Sequence, residues 1–158
     1  MTYRDHRRRW MPETEVVLRG AGWYPGRSAD LTSYAGCLRA WGLPWIDVAA
    51  PFLRELGGLR IPCGSGVLSI DPCALLAYAQ CCEDIDWIRA FGDRVDEPVI
   101  AIGSISHGQI LQGSSGRVYA HYDGLVLLAG ATSDAAIDAL VRDVPLPPAD
   151  VLPAPDDE

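Results

Sequence analysis

The stretch Gly22-Trp23-Tyr24-Pro25-Gly26-Arg27 brings two aromatic residues, a proline, two glycines and an arginine together within six positions. Glycine ends the helical pattern that precedes it, and Pro25-Gly26 specifies a turn of defined geometry. Because large rings are costly to leave in water, we expect Trp23 and Tyr24 to cap a core, with Arg27 as the lone charge beside them. We interpret the stretch as a turn that seats aromatic residues between two helices. A tryptophan and arginine recognition patch is the alternative.

Amphipathic helical patterns lie on both sides of this turn. Their apolar residues recur every three to four positions, and capping residues and glycines mark their ends. The predicted helices are residues 13–21, a segment capped by Asp30, a segment capped by Asp47 and ended by Gly57-Gly58, residues 71–81, residues 84–91, and a last segment capped by Thr132 or Ser133.

The hydrophobic period changes to that of strands from position 99 onward. The predicted strands are VIAIGSI (99–105), QILQG (109–113), RVYAHY (117–122) and LVLLAG (125–130), with an earlier hairpin formed by residues 59–63 and 67–70. Short connections of turn residues imply an antiparallel meander. The chain is therefore predicted to be α+β, with N-terminal helices and one C-terminal helix packed on an antiparallel sheet.

Length and composition predict a single globular domain. The 158 residues are 49% hydrophobic, which is enough to build a core. We expect the domain to cover residues 13–143, after a flexible arginine-rich arm (1–12) and before a proline-rich, acidic, disordered tail (144–158). No apolar run is long enough to cross a membrane, and the N-terminus has no secretory signal. The expected compartment is the cytoplasm.

The charge balance argues against a protein that binds nucleic acid directly. The net charge is −8, and all 13 basic residues are arginines. Residues 13–143 alone carry nine arginines against sixteen acids. Nucleic-acid binding needs a cationic surface, whereas an acidic surface favours a basic protein partner. The lack of lysine also excludes Schiff-base chemistry.

No recognisable catalytic or metal-binding motif is present. Cys63, His107, His121 and Asp123 are candidates for a nucleophile and base, but nothing in the sequence brings them together. The five cysteines are irregularly spaced without a C-x-x-C pair, so neither zinc nor a disulfide framework is predicted. Buried thiols are expected at Cys37, Cys73, Cys81 and Cys82. We therefore expect no enzymatic activity, no cofactor and no metal.

An acidic stretch within the predicted domain, residues 83–97, holds six acids against two arginines. If Ile85, Ile88 and Phe91 face the core, Trp87 must point elsewhere. An aromatic ring among carboxylates is suited to anchor a basic protein surface. The alternative is a solvated helix face with one partly packed tryptophan. The candidate partner-binding residues are Asp84, Asp86, Trp87, Asp93, Asp96 and Glu97.

Four separated motifs occur in a characteristic order: AGWYPGR (21–27), AAPFLRELGGLRIP (49–62), VIAIGSI (99–105) and GRVYAHYDGLVLLAG (116–130). This arrangement resembles the third subgroup of the SUKH superfamily over residues 14–141. The resemblance implies that most of the matching positions define the fold rather than contact a toxin. These positions are Gly22, Trp23, Pro25, Gly26, Arg27, Phe52, Leu53, Gly57, Gly58, Leu59, Gly116, Val118 and Tyr119.

The same resemblance implies a function. Bacterial members of that superfamily are chiefly immunity proteins that bind and neutralise polymorphic toxins encoded beside them, many of them nucleases or nucleic-acid deaminases. It therefore implies a protein that blocks the active site or substrate groove of a cognate toxin, without catalytic residues or cofactors of its own. An interaction adaptor of the same fold with a partner other than a toxin is the alternative. A monomer is favoured.

Overall fold

The computed structural model describes residues 9–64, 66–71, 82–105, 108–122 and 125–149, without the side chains of residues 82–84. Within these ranges the helices are α1 (Pro12–Ala21), α2 (Thr32–Ala40), α3 (Ala49–Leu56), α4 (Cys82–Val95) and α5 (Ser133–Val141). The strands are β1 (Arg60–Cys63), β2 (Gly66–Ser69), β3 (Val99–Ile105), β4 (Gly108–Gly113), β5 (Val118–Tyr122) and β6 (Leu125–Gly130). The helix predicted for residues 71–81 lies largely outside the described residues.

All six strands form one antiparallel sheet in the order β1-β2-β3-β4-β5-β6. The predicted α+β meander is therefore confirmed. The early hairpin belongs to the same sheet as the later strands, because β2 pairs with β3 through Leu68 and Ile105 and through Ser69 and Ser104. This pairing spans the segment between β2 and β3, and no local sequence pattern predicted it.

Helices cover both faces of the sheet. Val118 and Tyr119 are adjacent on β5, so their side chains point to opposite faces. On the Tyr119 face lies α4, whose Phe91 ring meets the tyrosine edge-on at 5.0 Å between centroids. On the other face lies α5, where Ser133 Oγ accepts a hydrogen bond of 2.7 Å from Gln112 Nε2, opposite Val118. Coverage on both faces explains why β3 is almost continuously apolar.

The sheet curves around its C-terminal helix. Helix α5 packs mainly on β6, and it also contacts β1, the strand at the opposite edge. One helix can reach both edges only if the sheet is bent, which agrees with the register shifts in the β3–β4 and β5–β6 pairings. The apolar face of α5 that meets the sheet includes Ala136, Ile137 and Leu140.

Of the three helix caps predicted at described residues, one is confirmed. Thr132 Oγ1 accepts from the Ala135 N–H at the start of α5, as predicted. The predicted Asp30 cap is wrong, because the N-cap of α2 is Leu31 and no side chain caps the helix. Asp30 Oδ1 instead accepts from the backbone N–H of Thr32 at 2.9 Å, which lowers the pKa of Asp30. The predicted Asp47 cap is wrong: α3 begins at Ala49, and no side chain caps it. Pro51 still falls in the first turn of α3, where its missing N–H is harmless.

The described residues that flank the predicted domain, 9–12 and 144–149, include residues that pack on it. Trp10 is only 6% exposed and belongs to the core. After α5, the chain runs along β6: the Leu128 N–H donates to Pro147 O, and the Ala149 N–H donates to Val126 O. The division into a flexible arm, a domain and a disordered tail stays a prediction.

The cysteines differ from the sequence prediction at one described position. Cys37 in α2 is half-buried and disulfide-bonded, whereas a buried free thiol was predicted. Spacing alone did not indicate the bond, because pairing depends on which cysteines the fold brings together in space. Cys73 and Cys81 lie outside the described residues.

Candidate functional site

The Gly22–Arg27 motif is integrated into the fold. Gly22 ends α1 with φ 115°, and Trp23 N–H returns to Leu18 O. Trp23 packs on the core and meets the buried Trp10 edge-on at 5.1 Å between ring centroids. Tyr24 is 57% exposed, so the prediction that both rings cap the core is wrong for this residue.

The turn itself has the predicted geometry. The Arg27 N–H donates to Tyr24 O at 3.1 Å, and Gly26 has φ 85° between them. A positive φ at the third position, after proline at the second, defines a type II turn. This geometry sends the Arg27 side chain back toward α3.

Arg27 closes the C-terminal end of α3. Its guanidinium donates to Glu55 O at 2.7 Å and to Gly57 O at 2.8 Å. These carbonyls have no partner within the helix, and a cation there also complements the negative end of the helix dipole. Both donors are used inside the fold. The Gly22–Arg27 motif therefore has a structural role, and the alternative of a recognition patch at the same stretch stays a prediction.

Arg9 joins this motif to α5. Its guanidinium forms ion pairs with Glu55 of α3 and with Asp134 of α5, the latter through two hydrogen bonds of 2.7 and 3.0 Å. The hydrogen bonds to Asp134 raise the pKa of Arg9 above its ordinary value, while partial burial opposes that shift. Trp23 Nε1 also donates toward Glu55, at 3.4 Å.

The remaining motif residues also support the fold. Gly58 has φ 84°, and its N–H donates at 2.7 Å to the carbonyl oxygen of Ile70, which directly follows β2. Gly116, with φ 98°, turns the chain between β4 and β5. Tyr119 is fully buried against Phe91. These contacts agree with the interpretation of the motif positions as fold-defining.

The candidate nucleophile is poorly suited to catalysis. Cys63 is 4% exposed, and its thiol donates to Ile61 O. Burial raises the pKa of Cys63 to about 11, so the thiol is protonated at neutral pH. His121 stacks on Trp87, and His107 and Asp123 lie outside the described residues. Within the described ranges, no group of three or more His, Cys, Asp or Glu residues is placed to hold a metal ion.

The predicted acidic surface is divided by the fold. Ile85, Ile88 and Phe91 face the core as predicted. Trp87 is half-buried and lies flat on His121, with 3.7 Å between ring centroids and an interplanar angle of 8°. Its ring is thus turned toward the sheet, which is the packed arrangement considered as the alternative.

The predicted acids lie in three different settings. Asp86 is exposed and lies 3.9 Å from Arg89, and the Asp84 side chain lies outside the described set. Asp93 and Asp96 are exposed at the C-terminal end of α4, and Glu97 accepts a hydrogen bond of 2.9 Å from Ser115 Oγ. The last three acids line one open depression together with Pro44, Ile88, Arg89, Gly92, Pro98 and Val99.

Sequence reasoning missed an exposed aromatic residue that the fold connects to those acids through Pro44. Pro44 lines the acidic depression and also a second one, which contains Trp45. Trp45 is 37% exposed in the loop between α2 and α3. One signal in the sequence could have indicated it: Trp45 follows a proline in a short loop. Because the loop lies outside any amphipathic pattern, the sequence does not predict that this tryptophan is buried.

The architecture defines the class: an α+β domain with a single antiparallel meander covered by helices on both faces. A family model described as SUKH-3 immunity protein matches residues 10–143. The chain therefore belongs to the SUKH-3 immunity protein family, and the predicted superfamily and subgroup are confirmed. The comparisons find no match among curated proteins or among solved structures.

Family membership gives the chain an immunity role with a protein toxin as its partner. In the part of the chain that the structure describes, no helix combines the length and the apolar character needed to span a bilayer. The toxin, its reaction and the contact surface do not follow from the family alone.

Proposed function

We propose that this immunity protein binds a cognate polymorphic toxin that acts on nucleic acid, a nuclease or a deaminase, and blocks its active site or substrate groove. The observation that carries the proposal is the combination of SUKH-3 membership with a strongly acidic domain. The site of action would be the cytoplasm, where the nucleic-acid substrates of such a toxin lie.

Charge supports this class of target. An enzyme that acts on nucleic acid needs a positive groove for the phosphate backbone. A chain with net charge −8 complements such a groove. Opposite potentials also speed diffusional encounter and make it sensitive to salt. Inhibition would then be competitive with nucleic acid, with no chemical step performed by the immunity protein.

Burial also supports an inhibitor that acts by binding. The cysteine that could serve as a nucleophile is buried and protonated at neutral pH. The exposed polar groups at the end of α4 are carboxylates, which suit contacts with arginine and lysine side chains. An adaptor function with a partner other than a toxin has no observation in its favour.

The direct test is co-expression with the toxin domain encoded by the neighbouring gene. The purified pair should elute as one complex, and nucleic-acid cleavage or deamination by the toxin should fall in a stoichiometric manner as the immunity protein is added. A complex that forms without inhibition would contradict the blocking mechanism. Absence of any complex, or a toxin that acts on lipid or cell wall, would contradict the proposed target class.

A further inference from the structure

The loop between α2 and α3, residues 41–48, presents an exposed aromatic ring. Leu43 and Ile46 are buried in the core and fix the path of the loop. Between them, Trp45 is 37% exposed, and Val48 at the end of the loop is 39% exposed. Tryptophan is the residue most enriched among the energetic centres of protein interfaces.

A side chain of α4 holds this loop in place. Arg89 Nη2 donates to Trp41 O at 2.9 Å and to Gly42 O at 3.2 Å. Gly42 has φ 71°, which ends α2 and starts the loop. Because the backbone is fixed before binding, a partner that covers Trp45 would lose little conformational entropy in ordering it.

Two shallow depressions meet at Pro44. The first, of about 620 Å³, is lined by Leu38, Leu43 and Trp45 and also by the exposed Arg39. The second, of about 520 Å³, carries the acids at the end of α4. Pro44 lines both, so an apolar contact and an acidic contact lie side by side on one continuous surface.

The acidic side of this surface is unfavourable in the isolated chain. Asp93 lies in the last turn of α4, and Asp96 and Glu97 follow its end. The helix dipole makes this end negative and therefore favours cations there. Asp96 also has φ 56°, a left-handed conformation in which glycine is the usual residue. A cation supplied by a partner would relieve the electrostatic part of this cost.

The neighbouring arginines leave two carboxylates unpaired. Arg89 is bonded to the loop carbonyls and lies near Asp86. Within the described ranges, Asp93 and Asp96 form no ion pair with any arginine, including the exposed Arg94 beside them. These carboxylates are free to accept hydrogen bonds from incoming basic side chains.

We infer that Pro44 and Trp45, flanked by Asp93, Asp96 and Glu97, form the toxin-binding surface, and that its occupant is a basic, arginine- or lysine-bearing segment of the toxin. This inference rests on the proposed function and names its contact surface. The aromatic residue that contacts the toxin is then Trp45, which is 37% exposed, and not Trp87, whose ring is stacked on His121.

The test is calorimetric titration with a catalytically inactivated form of the toxin domain encoded beside this chain. Trp45→Ala should raise the dissociation constant by about 30-fold or more, as expected for a residue at the centre of an interface. Asp93→Asn should raise the dissociation constant by about 3- to 10-fold and make the affinity less dependent on salt concentration. Circular dichroism and thermal unfolding of each variant would verify that the fold is retained.

Two matched control variants distinguish a loss of specific contacts at the proposed surface from a general effect of removing an aromatic ring or a negative charge. Tyr24→Ala removes another exposed aromatic residue, on a different turn, and should leave affinity unchanged. Asp30→Asn removes one negative charge at the far end of α2 but keeps the oxygen that accepts from Thr32, and it should also bind as wild type does. If Trp45→Ala and Asp93→Asn bind as tightly as wild type, the surface is wrong although the function stands. If wild type itself does not bind, both proposals fall.

Discussion

Trp87 of α4 lies flat on His121 of β5, with 3.7 Å between ring centroids. The indole is also nearly parallel to the ring of Phe91, at 5.3 Å between centroids. A residue chosen from the sequence for partner recognition is thus part of the contact between helix and sheet. Its position decides which side of α4 remains for a partner.

This stack predicts that Trp87 is needed for stability. Trp87→Ala should lower the free energy of unfolding by about 2–4 kcal/mol, because half-buried ring contacts are lost and a gap remains. Urea denaturation followed by circular dichroism measures this change. Val16→Ala, at an exposed site on α1, should shift stability by less than about 0.5 kcal/mol. A Trp87→Ala protein as stable as wild type would show that the stack contributes nothing.

Lysine at position 27 should not restore the stability that Arg27 provides. Arg27→Ala should cost about 2–3 kcal/mol, since two charge-assisted hydrogen bonds to the end of α3 are lost. Arg27→Lys should recover less than half of that, because one ammonium cannot reproduce the fork geometry toward both carbonyls. Arg54→Lys, at an exposed position of α3, is the matched control and should be neutral in the same denaturation assay. Equal stability of the lysine variant and wild type would contradict the proposed contact.

Cys63 should make stability fall at alkaline pH. Burial raises the pKa of its thiol from 9.0 to about 11. The unfolded chain therefore loses this proton first, and the stabilisation present below pH 9 is lost as pH rises toward 11. The loss from this group is about 2–3 kcal/mol, at ~1.36 kcal/mol for each pKa unit.

The variant Cys63→Ala isolates this contribution. Burial also raises the pKa of Tyr122, so some alkaline loss of stability will remain in the variant. The difference between wild type and variant in urea-unfolding free energy should shrink steadily between pH 9 and 11. A difference that stays constant with pH would show that Cys63 does not titrate abnormally.

Asp96 should lower the stability of the free protein, although its carboxylate belongs to the proposed toxin-binding surface. Its φ of 56° is left-handed, and it follows the C-terminal end of α4. Asp96→Gly should stabilise the free protein by about 0.5–1 kcal/mol by removing backbone strain and an unfavourable charge. Asp96→Ala removes the charge but keeps the strain, so it should be less stable than the glycine variant by about 1 kcal/mol. Thermal unfolding of both would separate the two effects, and a reversed order would contradict the conformation.

Local sequence patterns predicted the elements of the fold well. The strands VIAIGSI, QILQG, RVYAHY and LVLLAG and the helix after Thr132 occur where alternation, period and capping placed them. The errors concern helix caps, side-chain burial and a disulfide, all of which depend on tertiary packing. Asp47 has the chemistry of a cap, but α3 begins at Ala49 and no side chain caps it.

The candidate site was predicted only in part. The acids Asp93, Asp96 and Glu97 do lie together at one depression, because they follow one another at the end of a single helix. Trp87 was assigned to the same surface, yet the position of α4 on the sheet turns its ring toward His121. No pattern within a window of ten residues contains that information.

The sequence by itself determined the α+β class, the antiparallel meander, the acidic character and the family, because period, turn residues and composition act over short distances along the chain. The tertiary structure alone decided which aromatic residue is buried and which is exposed, and it placed Pro44, the residue before Trp45, beside the acids at the end of α4. Those residues are about fifty positions apart, and only the packing of one helix against a loop and a sheet makes them neighbours.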